Sequence, residues 1–229
     1  MTNKIATGSG ASMHWLDREK KRVKFDFSGY DGDLCFRNDA SILFFASNSY
    51  RSAFLSLGRD LEERFESYID KDIEHLILPY LFNFRHFVEL ELKALYVAVT
   101  NKSPDLTHDL KFLLTKVEES IIGIDYNTID KSYRNPTEDQ FNKIKDEAIG
   151  LFTDLKAKIS IYIDKEPAQE YYRYIFEDEK KGRERYIILK NTVVELDFLE
   201  TDSLFKSIRS LFDKLRLKLR DIIYVYCSI

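Results

Sequence analysis

The sequence predicts a mainly α-helical bundle with a small β-hairpin appendage. Three observations carry that expectation. From about residue 49 to the C-terminus, long stretches repeat their apolar residues every three or four positions, the period of a helix with one buried face. One stretch, Tyr172 to Leu189, instead alternates apolar and charged residues around a charged turn containing Gly182. Nothing divides the 229 residues: there is no internal repeat, no Pro- or Gly-rich linker and no low-complexity segment. A short flexible tail, 1–16, followed by one domain over 17–229 is therefore expected.

The elements follow in order. "RVKFDFSGYDGDL" alternates Val23, Phe25 and Phe27 against Lys24, Asp26 and Ser28, then supplies turn residues, which reads as a strand. "SILFFAS", Ser41 to Ser47, fits either a strand or the start of a helix. From Ser49, the residues Phe54, Leu55, Leu61, Phe65 and Ile69 take helical spacing. The next helix runs from about Asp72 to Thr100, with Pro79 expected to kink or divide it. After the loop "NKSPDLTHD", Thr107 is the expected N-cap, with Asp109 in the first turn of a helix bearing Leu110, Leu113, Leu114, Val117 and Ile121. A further helix starts at Pro136 and Thr137 and carries Phe141, Ile144, Ala148, Leu151, Phe152, Leu155 and Ile159. "TVVELDFLETDS" adds a strand or leads into the last helix, expected over Asp202 to Tyr226 with Leu204, Ile208, Leu211, Leu215, Leu219, Ile222 and Ile223 on one face.

Composition excludes several classes. With 44% hydrophobic and 14% aromatic residues the chain is no disordered segment. A net charge of −4, from 35 basic and 39 acidic residues, does not announce a nucleic-acid binder, although a local basic face stays open. Cys35 and Cys227 form no disulfide framework and no CxxC pair, which suits a reducing, cytoplasmic compartment. His14, His75, His86 and His108 show no metal-ligand spacing, so neither metal nor cofactor is expected. The most apolar run, Leu76 to Thr100, is broken by five charged or titratable residues, which argues against a membrane span. The polar start "MTNKIATGSGAS" has no apolar core of the secretory type.

Those interruptions are the chief functional signal. On a helix, Arg85 and Glu89 are four apart, His86 and Glu89 three apart, and Glu89 and Lys93 four apart, so the four are expected to form one polar strip. Phe84, Phe87, Val88, Leu92 and Leu95 cover other directions. Long charged side chains are seldom buried unless paired. The strip is therefore either a mutually satisfied brace or the wall of a functional cleft. His108 packs near Glu89 if the two helices are antiparallel, as the loop of about eight residues favours.

"FRHFVELELKAL" (Phe84 to Leu95), followed by "HDLKFLL" and then by "YYRYIFEDEKKG", resembles a group of bacterial helical proteins related to the HEPN superfamily. The resemblance covers roughly residues 54 to 220. It implies a helical bundle, commonly dimeric, from systems of phage defence, toxin–antitoxin pairing or stress. Many such proteins are ribonucleases whose signature is an Arg, four to six intervening residues, and then a His. No Arg lies five to seven positions before any of the four histidines here. The expectation is thus a non-catalytic RNA-binding or regulatory interaction module, with RNA, a partner protein from the same operon and a second copy of the chain as partners. One alternative is a metal-independent ribonuclease using Arg85, His86, Glu89 and His108 as catalytic groups, since in-line cleavage needs a base, an acid and a cation near the phosphate. Another is a structural subunit of a larger complex.

Ligand contacts are expected from Lys93, Asp109, Arg173, Lys206 and Arg209. Between Lys206 and Asp221 the last helix carries six basic residues, Lys206, Arg209, Lys214, Arg216, Lys218 and Arg220, against Asp213 and Asp221. That face is a candidate phosphate contact. Tyr171, Tyr172 and Tyr174 beside Arg173 are candidates for base stacking, although alternating aromatics also suit a core.

Overall fold

The computed structural model describes residues 38–67, 73–128, 137–165 and 196–223, together with the backbone of three short strands, β1 (Asn3–Ile5), β2 (His14–Asp17) and β3 (Arg22–Lys24). The strands pair antiparallel in the order β1-β2-β3, with Trp15 opposite both Lys4 and Lys24. The rest is helical: α1 (Asn38–Glu66), α2 (Ile73–Thr100), α3 (Leu110–Ile122), a 3-10 turn (Tyr126–Thr128), α4 (Glu138–Lys165) and α5 (Phe198–Ile223). The mainly α class is as expected. The hairpin expected near 171–190, and Arg173 with it, lies outside the described residues.

α1 takes in "SILFFAS" as helix. Ala40, Phe44, Ser47, Phe54 and Leu61 fall at spacings of four, three and seven and are all buried, which is the stripe such a helix needs. Gly58 lies on this stripe, where a Cβ would meet the Tyr80 ring at 3.1 Å, so α1 and α2 approach closely there. α2 runs unbroken through Pro79. Proline deprives the His75 carbonyl of its helical donor, but both residues are exposed, so the loss falls on the solvent side of the helix. α2 ends at Asn101, whose φ of 55° is the left-handed cap that Asn tolerates. α3 is capped by Asp109, not by Thr107. The Asp109 carboxylate accepts from the amides of Lys111 and Phe112, while Thr107 Oγ1 accepts from the Asp109 amide. α4 opens on a reciprocal capping box between Thr137 and Gln140. α5 begins at Phe198, four residues earlier than the hydrophobic pattern suggests, because Asp197 accepts from the Glu200 amide and caps it.

Side-chain contacts fix the helix directions. α1 is antiparallel to α2 and to α5, since Ser47 meets Glu91, Phe54 meets Phe84, and Arg51 meets Asp213. Phe84–Phe205, Phe87–Phe212 and Glu91–Arg216 make α2 parallel to α5. Tyr162–Phe205 and Glu147–Lys218 set α4 antiparallel to α5. Lys111–Asp164, Glu118–Lys156 and the Ile124 carbonyl on Lys145 set α3 antiparallel to α4. It follows that α3 runs parallel to α2, which corrects the antiparallel arrangement expected from the loop length. The segment between them is a strap. Eight extended residues reach about 26–29 Å, enough to run back along the roughly 22 Å of α2 between Thr100 and Arg85. The core lies where α1, α2, α4 and α5 meet, around Phe54, Tyr80, Phe84, Phe87, Tyr162, Phe205 and Phe212.

Candidate functional site

The strap ends on the polar strip of α2. Glu89 is 5% exposed and its Oε1 accepts from Lys93 Nζ at 2.9 Å and from His108 Nδ1 at 2.8 Å. Arg85, also buried, donates through Nη2 to the His108 carbonyl at 3.1 Å. Arg85, Glu89 and Lys93 therefore grip one residue of the strap by both its side chain and its backbone. Burial alone would push the Glu89 carboxyl up, but the hydrogen bonds and charges of Lys93 and His108 outweigh it and hold it below the usual carboxylate range. An ionised carboxylate only accepts, so the His108 Nδ1 carries the proton.

His86 leaves this group. One residue on from Arg85, it is turned about 100° around the helix, and its ring packs between Tyr50 of α1, at 5.1 Å, and Phe82, at 4.2 Å. Its Nδ1 lies 3.2 Å from the Phe82 carbonyl. The single strip expected of four residues is thus three residues facing the strap and one facing α1.

The other expected contacts divide in the same way. Lys93 is held by Glu89, and the carboxylate of Asp109 is engaged in capping. On α5, Lys206 pairs with Asp202 at 2.6 Å, Lys218 pairs with Glu147, and Arg216 turns inward. Three of the six basic residues of that face are therefore neutralised by acids of α2, α4 or α5 itself. Arg209 is half-buried, and its Nε is enclosed with no hydrogen-bond partner among the described residues. No group of three or more His, Cys, Asp or Glu able to hold a metal occurs among the described residues. None of the described helices is long and apolar enough to cross a membrane.

A second polar cluster lies in the core and has no local sequence signature. Glu91 is fully buried and bonded to Ser47 of α1 and to Arg216 of α5, whose Nε donates to Oε2 at 2.7 Å. The guanidinium also stacks 4.2 Å from the Phe44 ring. Beside it, Arg51 forms a two-point pair with Asp213, at 2.8 and 3.1 Å. At the far end of the helices the Tyr80 hydroxyl donates to Asp202, and burial, followed by the Asp202 charge, pushes the phenol up. Glu91 sits two residues, about 200°, from Glu89 and so faces the opposite side of α2. That offset is the one signal by which it could have been separated from the strip.

No family model, curated protein or solved structure matches this chain.

Proposed function

We propose that the chain is a non-catalytic, HEPN-like interaction module of a bacterial defence or stress system, whose partner-facing element is the strap between α2 and α3. The use made of the polar strip supports this reading. Arg85, Glu89 and Lys93 are buried beneath the strap and engaged with His108 or with one another, so they serve as a brace. The strap they brace carries Leu106, 99% exposed, two residues from the anchored His108. An apolar side chain held on a fixed backbone loses little freedom on docking. The acids that neutralise Lys206, Arg216 and Lys218 favour a protein over RNA as the partner, either the product of a neighbouring gene or a second copy in a homodimer. The hairpin proposed for 171–190, with Arg173, belongs to the same reading. The packing of His86 between two aromatic rings speaks against the ribonuclease built on Arg85, His86, Glu89 and His108.

The test is co-expression with the neighbouring gene product, together with sedimentation of the chain alone and RNA binding and cleavage assays. A complex or dimer that is lost in Leu106→Asp, with an unchanged helical spectrum and no RNA cleavage, is the expected result. RNA cleavage by the wild type that disappears in His108→Ala would overturn the reading in favour of the enzyme.

A further inference from the structure

We propose that His108 is a phosphoryl-acceptor site, its Nε2 taking a phosphoryl group from small donors of the phosphoramidate or acyl phosphate class. The tautomer is the starting point. With Nδ1–H donated to Glu89, the neutral ring keeps its lone pair on Nε2. The two partners differ sharply in access: the His108 side chain is 48% exposed and that of Glu89 6%. One edge of the imidazole is therefore fixed inside the protein, and the ring still reaches solvent. This is the carboxylate–imidazole pairing by which a nucleophilic histidine is oriented.

Lys93 shares the Glu89 oxygen and Arg85 holds the His108 carbonyl, so the residue is anchored on its buried side by both ring and backbone. The neighbouring Asp109 carboxylate is engaged with the Lys111 and Phe112 amides. In the step itself, Nε2 forms a bond to phosphorus as the P–N bond of phosphoramidate breaks. The electron pair of that bond leaves with the nitrogen, which already bears its protons and departs as ammonia. The ring becomes an imidazolium, and its Nδ1–H continues to donate to Glu89. The site is independent of the interaction-module reading and adds a chemical function to the strap.

His75, exposed on the first turn of α2, is an internal reference. The full-length chain is treated with phosphoramidate, and each histidine is followed in time by peptide mass mapping. Phosphorylation of His108 at least about tenfold faster than that of His75 is expected, with Glu89→Gln lowering the His108 rate to that of His75. Unfolding the wild type in urea should also erase the difference. Equal rates at the two histidines in the folded wild type overturn the proposal. So does an advantage that survives Glu89→Gln in a chain with an unchanged far-UV spectrum. Should that variant not fold, the comparison of folded with urea-unfolded wild type decides alone.

Discussion

Glu89 concentrates the risk of the polar strip in one side chain. It is buried, it is ionised, and two groups from different elements depend on it. Glu89→Ala leaves Lys93 buried without its carboxylate, so a loss of about 3–5 kcal/mol is expected in urea unfolding, as for one partner removed from a buried pair. A change of about 0.5 kcal/mol or less would mean that the strip is a surface feature. The pH dependence follows from the direction of the shift. The folded carboxyl titrates below its unfolded value of about 4.5, so its contribution is fully present above that pH and is lost as the pH falls through the folded value. Stability measured below about pH 4.5 should therefore fall less steeply in Glu89→Gln than in the wild type. Spacing alone identified Glu89, Lys93 and Arg85, because residues four apart share a helix face. It included His86 wrongly, because a three-residue spacing to Glu89 is compatible with either side of the strip. The aromatic surroundings that draw His86 away, Tyr50 above all, lie on another helix.

At the scale of elements, α5 is joined to the α1–α2 pair by ionic contacts inside an otherwise apolar seam. Arg216→Ala should cost about 3–5 kcal/mol, because Glu91 stays buried without its guanidinium. The double change Glu91→Leu with Arg216→Met should recover most of that loss, since an apolar pair of similar volume fills the space without desolvating charge. Chemical denaturation of the single and double variants decides it, and a double variant no better than Arg216→Ala alone would show that the cluster's hydrogen bonds exceed its desolvation cost. Beyond the offset of Glu91 from Glu89 around α2, no local pattern announces this seam. Read locally, Arg216 belonged to a basic face, and only packing turned it inward. Helix ends were harder to read than helix faces for a related reason: the start of α5 is set by the cap Asp197, while the hydrophobic pattern becomes regular only a turn later.

For the whole molecule, the class was legible because α3, α4 and α5 bury the residues their periodicity singles out: Leu113 and Val117, Phe152 and Leu155, Ile208 and Leu215. Direction was not legible. A loop of given length either reverses the chain or doubles back along it, and the extended strap before His108 does the second. The aromatic centre was also hidden, since Phe205 joins α5 to Phe54 of α1, Phe84 of α2 and Tyr162 of α4 only after assembly. Phe205→Ala should lower stability by about 3–5 kcal/mol while calorimetry still shows one transition. Two separated transitions would mean that the α1–α2 and α4–α5 pairs melt independently.

The Glu91–Arg216 bond also bears on how the chain emerges during synthesis. The two residues are 125 positions apart. At roughly 5–20 residues per second, the carboxylate leaves the ribosome roughly 6–25 s before its guanidinium. For most of that interval α1 and α2 are complete, yet closing them tightly would strand a charge at their interface. The nascent pair is thereby kept from settling early, and α5, made after it, brings the guanidinium that lets α1 and α2 lock.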